Sequence, residues 1–140
     1  MNKIINLKQA IELANRYNTI SLEEIKKYPV ISEIIKNKLT GFGRTDTCTL
    51  CISVQSKKYI EIDNILCDYC IWSFNIKSKD KMYPYCMNSI SKKSYFDIGR
   101  ADTHLKLYNA YRRRGKLLDE IIDKYLPEFH QEQSNQMDNN

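Results

Sequence analysis

Apolar residues in the N-terminal part of the chain recur at three- and four-residue steps, which is the spacing of one face of an α-helix. Charged residues fill many of the intervening positions, so the pattern predicts an amphipathic helix over residues 2–17. The apolar face of this helix is expected to consist of Ile4, Leu7, Ile11 and Ala14.

Residues 18–41 carry start and stop signals for two further helices. Ser21 and Glu24 have the spacing of a capping box, in which each side chain accepts from the backbone N–H of the other residue, so a helix is expected to begin there. Pro29 should end or kink this helix because proline has no backbone N–H to donate. Helical spacing resumes over residues 30–39, and Gly41 is expected to stop that helix.

The middle of the chain changes to β-prone residues. Ile52–Val54 and Tyr59–Ile62 are rich in residues that favour strands, and four polar residues separate them. This pattern predicts a short β-hairpin whose tip carries Lys57 and Lys58.

The clearest periodicity lies near the C-terminus, where apolar residues recur from Ala101 to Tyr125 and predict one long helix. Gly115 lies inside this helix and is expected to mark either a kink or a close packing contact. Pro127 is expected to end the helix, and the polar residues after it predict a flexible tail over 127–140.

Two C-x-x-C pairs occupy the middle of the chain, Cys48 with Cys51 and Cys67 with Cys70, with fifteen residues between the pairs. A two-residue gap lets both thiolates of one pair face a single ion, and four soft sulfur ligands suit tetrahedral Zn²⁺. Because four protein ligands leave no position for water or substrate, the predicted zinc site is structural.

Cys86 leaves one ligand of this predicted site open. Fifteen residues separate it from Cys70, so a set of Cys48, Cys51, Cys70 and Cys86 would leave Cys67 outside the site. The two-pair set is favoured because each turn presents two thiolates together. No apolar stretch typical of a secretion signal follows Met1, so the thiols are expected to be reduced in a cytoplasmic, intracellular protein rather than paired as disulfides.

Taken together, these elements predict an α+β fold: a small zinc-stabilised domain with N-terminal helices, a central four-cysteine zinc knuckle with a short hairpin, and a long C-terminal helix. The chain is long enough for one domain, and no segment has the apolar length of a membrane span. The predicted domain covers residues 1–126, with a helical part at 1–40, a zinc-binding part at 41–90 and a C-terminal helical part at 91–126.

The net charge of +5 is distributed unevenly. Residues 92–116 carry a balance of +6, whereas residues 117–140 carry a balance of −5. Guanidinium groups beside tyrosine rings can contact phosphates and stack on unpaired bases, although a solvated helix face with the tyrosines in the core is an equally good interpretation. The predicted binding residues are Lys57, Lys58, Lys92, Lys93, Tyr108, Tyr111, Arg112, Arg113, Arg114 and Lys116.

Catalytic motifs are missing from the sequence. The two histidines form no triad with a nucleophile, and no P-loop, G-x-G-x-x-G or H-E-x-x-H pattern occurs. His104 is expected to lie on the surface of the last helix rather than to bind a metal or act as a base. The protein is therefore predicted not to be an enzyme.

The Cys-Thr-Leu-Cys and Cys-Asp-Tyr-Cys pairs resemble the knuckles of zinc-ribbon and treble-clef proteins. The small size and the abundance of Asn, Ile and Lys are similar to small phage or mobile-element proteins, some of which are anti-defence inhibitors of the anti-CRISPR type. This resemblance implies a binding protein that engages a nucleic-acid-handling complex. The alternatives are a direct RNA- or DNA-binding regulator that uses the basic helix and, less favoured, a metal-dependent nuclease.

Overall fold

The computed structural model describes residues 4–43, 48–50, 52, 69–74, 85–87 and 91–138, and this part of the chain is mostly helical. A long C-terminal helix is the centre of the fold; the first helix packs along it, and the second and fourth helices also contact it. In chain order the helices are α1 (Leu7–Thr19), α2 (Leu22–Lys26), α3 (Glu33–Thr40), α4 (Lys92–Arg100) and α5 (His104–Asp138). Two short 3-10 turns, Ile71–Ser73 and Tyr85–Met87, come between α3 and α4 in sequence.

Local capping explains where α2 and α3 begin and end. The predicted capping box is confirmed, because the Ser21 hydroxyl accepts from the backbone N–H of Glu24 while the Glu24 carboxylate accepts from the N–H of Ser21. Ser32 caps α3 by accepting from the N–H of Ile35 at 3.2 Å. Gly41 stops α3 as predicted, with a left-handed φ of 92° that favours glycine.

The single long helix predicted from Ala101 to Tyr125 is found as α5, and a shorter helix, α4, that was not predicted precedes it. The chain leaves the helical conformation at Ala101, and the Thr103 hydroxyl accepts from the N–H of Lys106 at the start of α5, so α4 and α5 are separate. The long helix also continues through Pro127 to Asp138, where a tail was predicted. Proline removes one backbone hydrogen bond from a helix, but the turns on either side of it can keep their own.

The predicted α+β class is wrong. The described residues contain no strand, and Ile52, expected to start the hairpin, has helical backbone and donates to the carbonyl of Cys48 at 3.0 Å. The rest of the predicted hairpin, including Lys57 and Lys58, lies outside the described residues. A β-prone run of three residues is too short for its composition to decide between strand and helical turn.

The interface between α1 and α5 holds much of the core. The rings of Tyr17 and Tyr111 stack with their centroids 5.7 Å apart, and both residues are buried. Gly115 lies at a close contact between the two helices, since a Cβ at this position would come within 2.8 Å of the Cβ of Tyr17. Of the two roles predicted for Gly115, the close packing contact is the one found.

Candidate metal centre and nucleic-acid interface

Asn6 joins three segments that are far apart in sequence. Its side-chain nitrogen donates to the Cys70 sulfur at 3.1 Å and to the carbonyl of Leu50 at 3.3 Å, and its side-chain oxygen accepts from the N–H of Ile71 at 2.9 Å. Asn6 is completely buried, so water cannot replace these partners. The start of α1 is therefore tied to both regions that carry the C-x-x-C pairs.

The thiol of Cys70 is buried, and two other cysteines, Cys48 and Cys86, lie near enough to influence its ionisation. Its pKa is raised to about 12, chiefly by burial and to a smaller extent by Cys48 and Cys86. Hydrogen bonds from the backbone of Trp72 and from Asn6 oppose this rise. Donation of N–H groups to a sulfur favours its thiolate form, which is the form that binds a metal.

Cys48 and Cys86 belong to two different segments of the chain. Cys48 is buried and begins the helical turn that includes Ile52. Cys86 is half-buried in the second 3-10 turn, where its carbonyl accepts from an α5 arginine, Arg114, at 3.0 Å. The three described cysteines therefore come from three segments held together by buried hydrogen bonds.

The chemistry of these sulfur donors fits zinc, although the described residues alone do not complete a site. Within them, no group of three or more His, Cys, Asp or Glu side chains is arranged to hold a metal ion. Cys51 and Cys67 lie outside the described residues, so the four-cysteine zinc site remains a prediction. Both Cys48 and Cys86 influence the pKa of Cys70 electrostatically, so Cys86 remains the alternative ligand to Cys67.

Arg114 lies inside the protein and not on the predicted binding surface. Its side chain donates to the carbonyl of Ser91 at 2.9 Å, to the Ser94 hydroxyl at 2.8 Å and to the carbonyl of Cys86 at 3.0 Å. The guanidinium carbon also lies 3.9 Å from the ring centroid of Trp72. Arg114 thus connects α5 and α4 to the cysteine-containing turns, and only 2% of its surface is exposed.

Arg112, Tyr108 and Tyr111 also have structural partners. Arg112 donates to the carbonyls of Tyr17 and Ile20, which closes the C-terminal end of α1, and its guanidinium stacks on the Tyr108 ring with the carbon 4.6 Å from the centroid. The hydroxyl of buried Tyr111 donates to a carbonyl on α3 at 2.8 Å. These contacts support the alternative in which this part of the predicted surface belongs to the core.

Four of the predicted basic residues remain exposed on α4 and α5: Lys92, Lys93, Arg113 and Lys116. We call this set the basic face. Lys93 and Arg113 both reach one carboxylate oxygen of Asp97, at 2.9 and 3.5 Å, so their side chains lie next to each other across the two helices. Lys116 is one turn from Arg113 on α5, and positions three apart share a helix face.

His104 has a structural partner as well. Its Nε2 lies 2.7 Å from the carbonyl oxygen of Tyr28, and because a carbonyl only accepts, Nε2 must carry the hydrogen. This bond joins the start of α5 to the segment between α2 and α3. His104 is half-buried, so the prediction of a surface histidine is only partly met.

A cavity of about 210 Å³ opens between α3 and α4. Three aromatic residues form part of its wall: Phe42, Tyr95 and Phe96. Glu33 and Arg100, both exposed, add charged groups of opposite sign to the lining, and Gly99 leaves room beside them. The aromatic and basic side chains that sequence reasoning sought on α5 are therefore found together on α4.

Sequence reasoning missed Asn6 and the α4 cavity for different reasons. A single asparagine at the start of a helix indicates a cap, yet Asn6 makes no capping bond with its side chain and serves the cysteine region instead. For α4, the run from Lys92 to Arg100 carries the relevant signal, because Lys92, Phe96 and Arg100 are spaced four apart. That spacing places a cation, a ring and a second cation on one helix face.

Comparison with protein-family models, with curated proteins and with solved structures finds no match to this chain. Among the helices described, none contains a stretch that is both long and apolar enough to cross a membrane. Function must therefore be inferred from the side chains themselves.

Proposed function

We propose that this protein is a non-enzymatic binding protein that engages a nucleic-acid-handling complex through its basic face. The observation that carries the proposal is the pairing of Lys93 and Arg113 around Asp97, which brings the cations of α4 and α5 together at the surface. Lys92 and Lys116 add two further exposed cations to this face. A surface of this kind favours a polyanion such as a phosphate backbone.

The charge distribution restricts where such a ligand can lie. Beyond Lys116, α5 becomes acidic, beginning with Asp119 and Glu120, both exposed. A phosphate backbone is repelled by this acidic end and attracted to the α4 end of the helix pair. Arg112 and Arg114 are engaged in the interior, so the binding surface is smaller than the run of three arginines implies and is centred on α4.

The second part of the proposal is that Zn²⁺ bound by cysteine thiols stabilises the protein. Support comes from the position of Cys70, whose buried sulfur accepts hydrogen bonds and lies near two further cysteines. A metal ion would hold these thiols as thiolates, and its binding free energy would add to the stability of the fold. The chain's own contribution is the shell around the sulfur, to which the backbone of Trp72 and the side chain of Asn6 donate hydrogen bonds.

The basic face is tested by replacing Lys92 and Lys93 with alanine and measuring the binding of a fluorescent single-stranded oligonucleotide across a salt series. Because two phosphate contacts are lost, we expect weaker binding and a salt dependence smaller by about 1.4 in the slope of log K against log salt. Lys26, the last residue of α2, and Lys27, which follows it, are a matched control, since they are also adjacent, exposed lysines. Equal weakening by both double substitutions would contradict the proposal.

Affinity capture from cells that carry candidate defence systems tests the partner. We expect the intact protein to retain a nucleic-acid-containing complex and the Lys92/Lys93 double-alanine variant to lose it. Inhibition of the captured complex would support the anti-defence form of this function. Tight, strongly salt-dependent binding of RNA or DNA without any protein partner would favour the direct regulator instead.

A further inference from the structure

We infer that the cavity between α3 and α4 holds one unpaired base of a single-stranded nucleic acid whose phosphates contact the basic face. This inference rests on the proposed function and adds to it the class of ligand. The cavity is smaller than the roughly 300–1,000 Å³ of sites for drug-sized ligands, at about 210 Å³. Its size therefore suits a single ring system rather than a whole cofactor.

The aromatic wall is suited to a flat ligand. The Phe42 and Tyr95 rings lie 5.0 Å apart and are tilted by 47°, and the Phe96 ring meets Tyr95 edge to face at 5.5 Å. Tyr95 and Phe42 are buried, so their contacts with each other fix the wall before any ligand arrives. Every nucleobase has a π-face that can stack on such a ring, whatever the sequence.

The polar groups of the cavity match the edge of a base. Arg100 offers N–H donors, and the carboxylate of Glu33 offers acceptors. Base edges carry both donors and acceptors, so both charged groups can be satisfied by one ligand. A quaternary ammonium ligand fits less well, because the Arg100 guanidinium carbon already lies 5.3 Å from the Phe96 ring centroid and would repel a second cation.

The position of the cavity connects it to the basic face. Lys92, Phe96 and Arg100 follow one another at four-residue intervals on α4, so they share one side of that helix. A strand that runs along this side can place phosphates near Lys92 and Arg100 while the intervening base turns toward Phe96. A base paired in a duplex cannot turn in this way without being unpaired, which is why the ligand is single-stranded.

Gly99 allows the cavity to be blocked without damage to the core. A Cβ at this position meets no atom within 4 Å, and its φ is not left-handed. The Lys36 Nζ donates to the backbone carbonyl of Gly99 at 2.8 Å, and a side chain added at Gly99 leaves that carbonyl in place. Gly99→Leu is designed to fill the cavity, and Gly99→Ala is its matched control because it adds only one methyl group. Both changes also favour the helix, so neither is expected to unfold the protein.

The test compares a single-stranded DNA oligonucleotide of mixed sequence with an abasic oligonucleotide of the same length, using fluorescence anisotropy and the full-length chain. For the unsubstituted protein we expect the base-containing oligonucleotide to bind at least about fivefold more tightly, as the loss of one stacked base implies. Gly99→Leu should remove this preference while keeping the affinity for the abasic oligonucleotide, and Gly99→Ala should retain the preference. The corresponding RNA oligonucleotide is included to show whether ribose is preferred.

Three results overturn the inference, and they distinguish its failure from that of the proposed function. Equal binding of the base-containing and abasic oligonucleotides by the unsubstituted protein, or an unchanged preference in Gly99→Leu, shows that no base enters the cavity while the basic face remains valid. Failure to bind either oligonucleotide at low salt overturns the proposed function and this inference together.

Discussion

Arg113 and Arg114 are neighbours in sequence but lie in opposite surroundings. Arg114 is buried beside Trp72 and donates hydrogen bonds to the segment that carries Cys86, whereas more than half of the Arg113 side chain is exposed beside Asp97. A guanidinium in the first setting fixes how segments pack, and one in the second is available to a ligand. The interior region around the cysteines should therefore control stability, and the basic face should control binding.

The strongest test of this contrast is loss of the metal. We expect Cys70→Ser to lose bound zinc and to unfold at a much lower temperature, since structural zinc contributes an apparent binding free energy of about 10–16 kcal/mol. The Lys92/Lys93 double-alanine variant should keep its zinc and its unfolding temperature. Zinc content per chain and thermal melts with and without a chelator provide the measurement. A zinc-free protein with an unchanged melt in chelator would contradict the metal centre.

The same measurement decides the ligand set. If Cys67 is the fourth ligand, Cys67→Ser should lose zinc and Cys86→Ser should keep it. The reverse result would assign Cys86 to the site and place Arg114 next to a ligand, because Arg114 holds the carbonyl of Cys86.

A smaller but still large effect is expected from Arg114 itself. Arg114→Met keeps an unbranched apolar stem but leaves the carbonyls of Ser91 and Cys86 buried without their donor, so we expect a loss of about 2–4 kcal/mol in the free energy of unfolding. Arg113→Ala is the paired control on the basic face, and we expect it to change stability by less than about 1 kcal/mol. Urea unfolding measures both changes in stability. For oligonucleotide affinity we expect the opposite order, with Arg113→Ala weakening binding more than Arg114→Met.

The contrast between these two arginines also marks the limit of prediction from the sequence. Apolar spacing and capping residues were sufficient to predict that α1, α2 and α3 exist, because those signals act within a few residues. The details of α1 were wrong, since the helix begins at Leu7 rather than residue 2 and Ile11, expected on its apolar face, is exposed. Three consecutive arginines cover about 200° of a helix, and only the packing of α1 and α4 on α5 decides which of them is buried. The hydrogen bonds of Asn6 have the same origin, since its partners lie more than forty residues away.

In the metal-free protein, the free energy of unfolding should depend on pH through the buried Cys70 thiol. Without metal, the unfolded Cys70 thiol loses its proton near its ordinary pKa of 9.0, while burial keeps the folded thiol protonated up to a pKa of about 12. The folded state then binds more protons, so stability should be complete below pH 9 and fall above it by about 1.4 kcal/mol per pH unit. Tyr17 and Tyr111, whose burial raises their pKa above the ordinary 10.0, add losses of the same sign only at higher pH.

Urea unfolding of chelated protein between about pH 8 and pH 10 measures this loss, and Cys70→Ala should remove it. With zinc bound the thiol is already ionised, so this alkaline loss should be absent and protons should instead displace the metal at acid pH. An alkaline loss that is the same with and without zinc would show that Cys70 does not bind the metal.

The smallest expected effects come from two glycines that differ only in what lies beside them. At Gly99, alanine meets open space and improves the helix, so Gly99→Ala should raise the free energy of unfolding by up to about 1 kcal/mol. At Gly115, the added Cβ would come within 2.8 Å of the Cβ of Tyr17, and overpacking of this kind lowers stability by about 1–3 kcal/mol, more than the gain in helix propensity. Gly115→Ala should therefore be destabilising although alanine is the better helix former. Urea unfolding of the two variants side by side measures the difference. Stabilisation by both would mean that α1 and α5 can move apart at Gly115. The interior would then be less closely packed there than the stacked Tyr17 and Tyr111 rings imply.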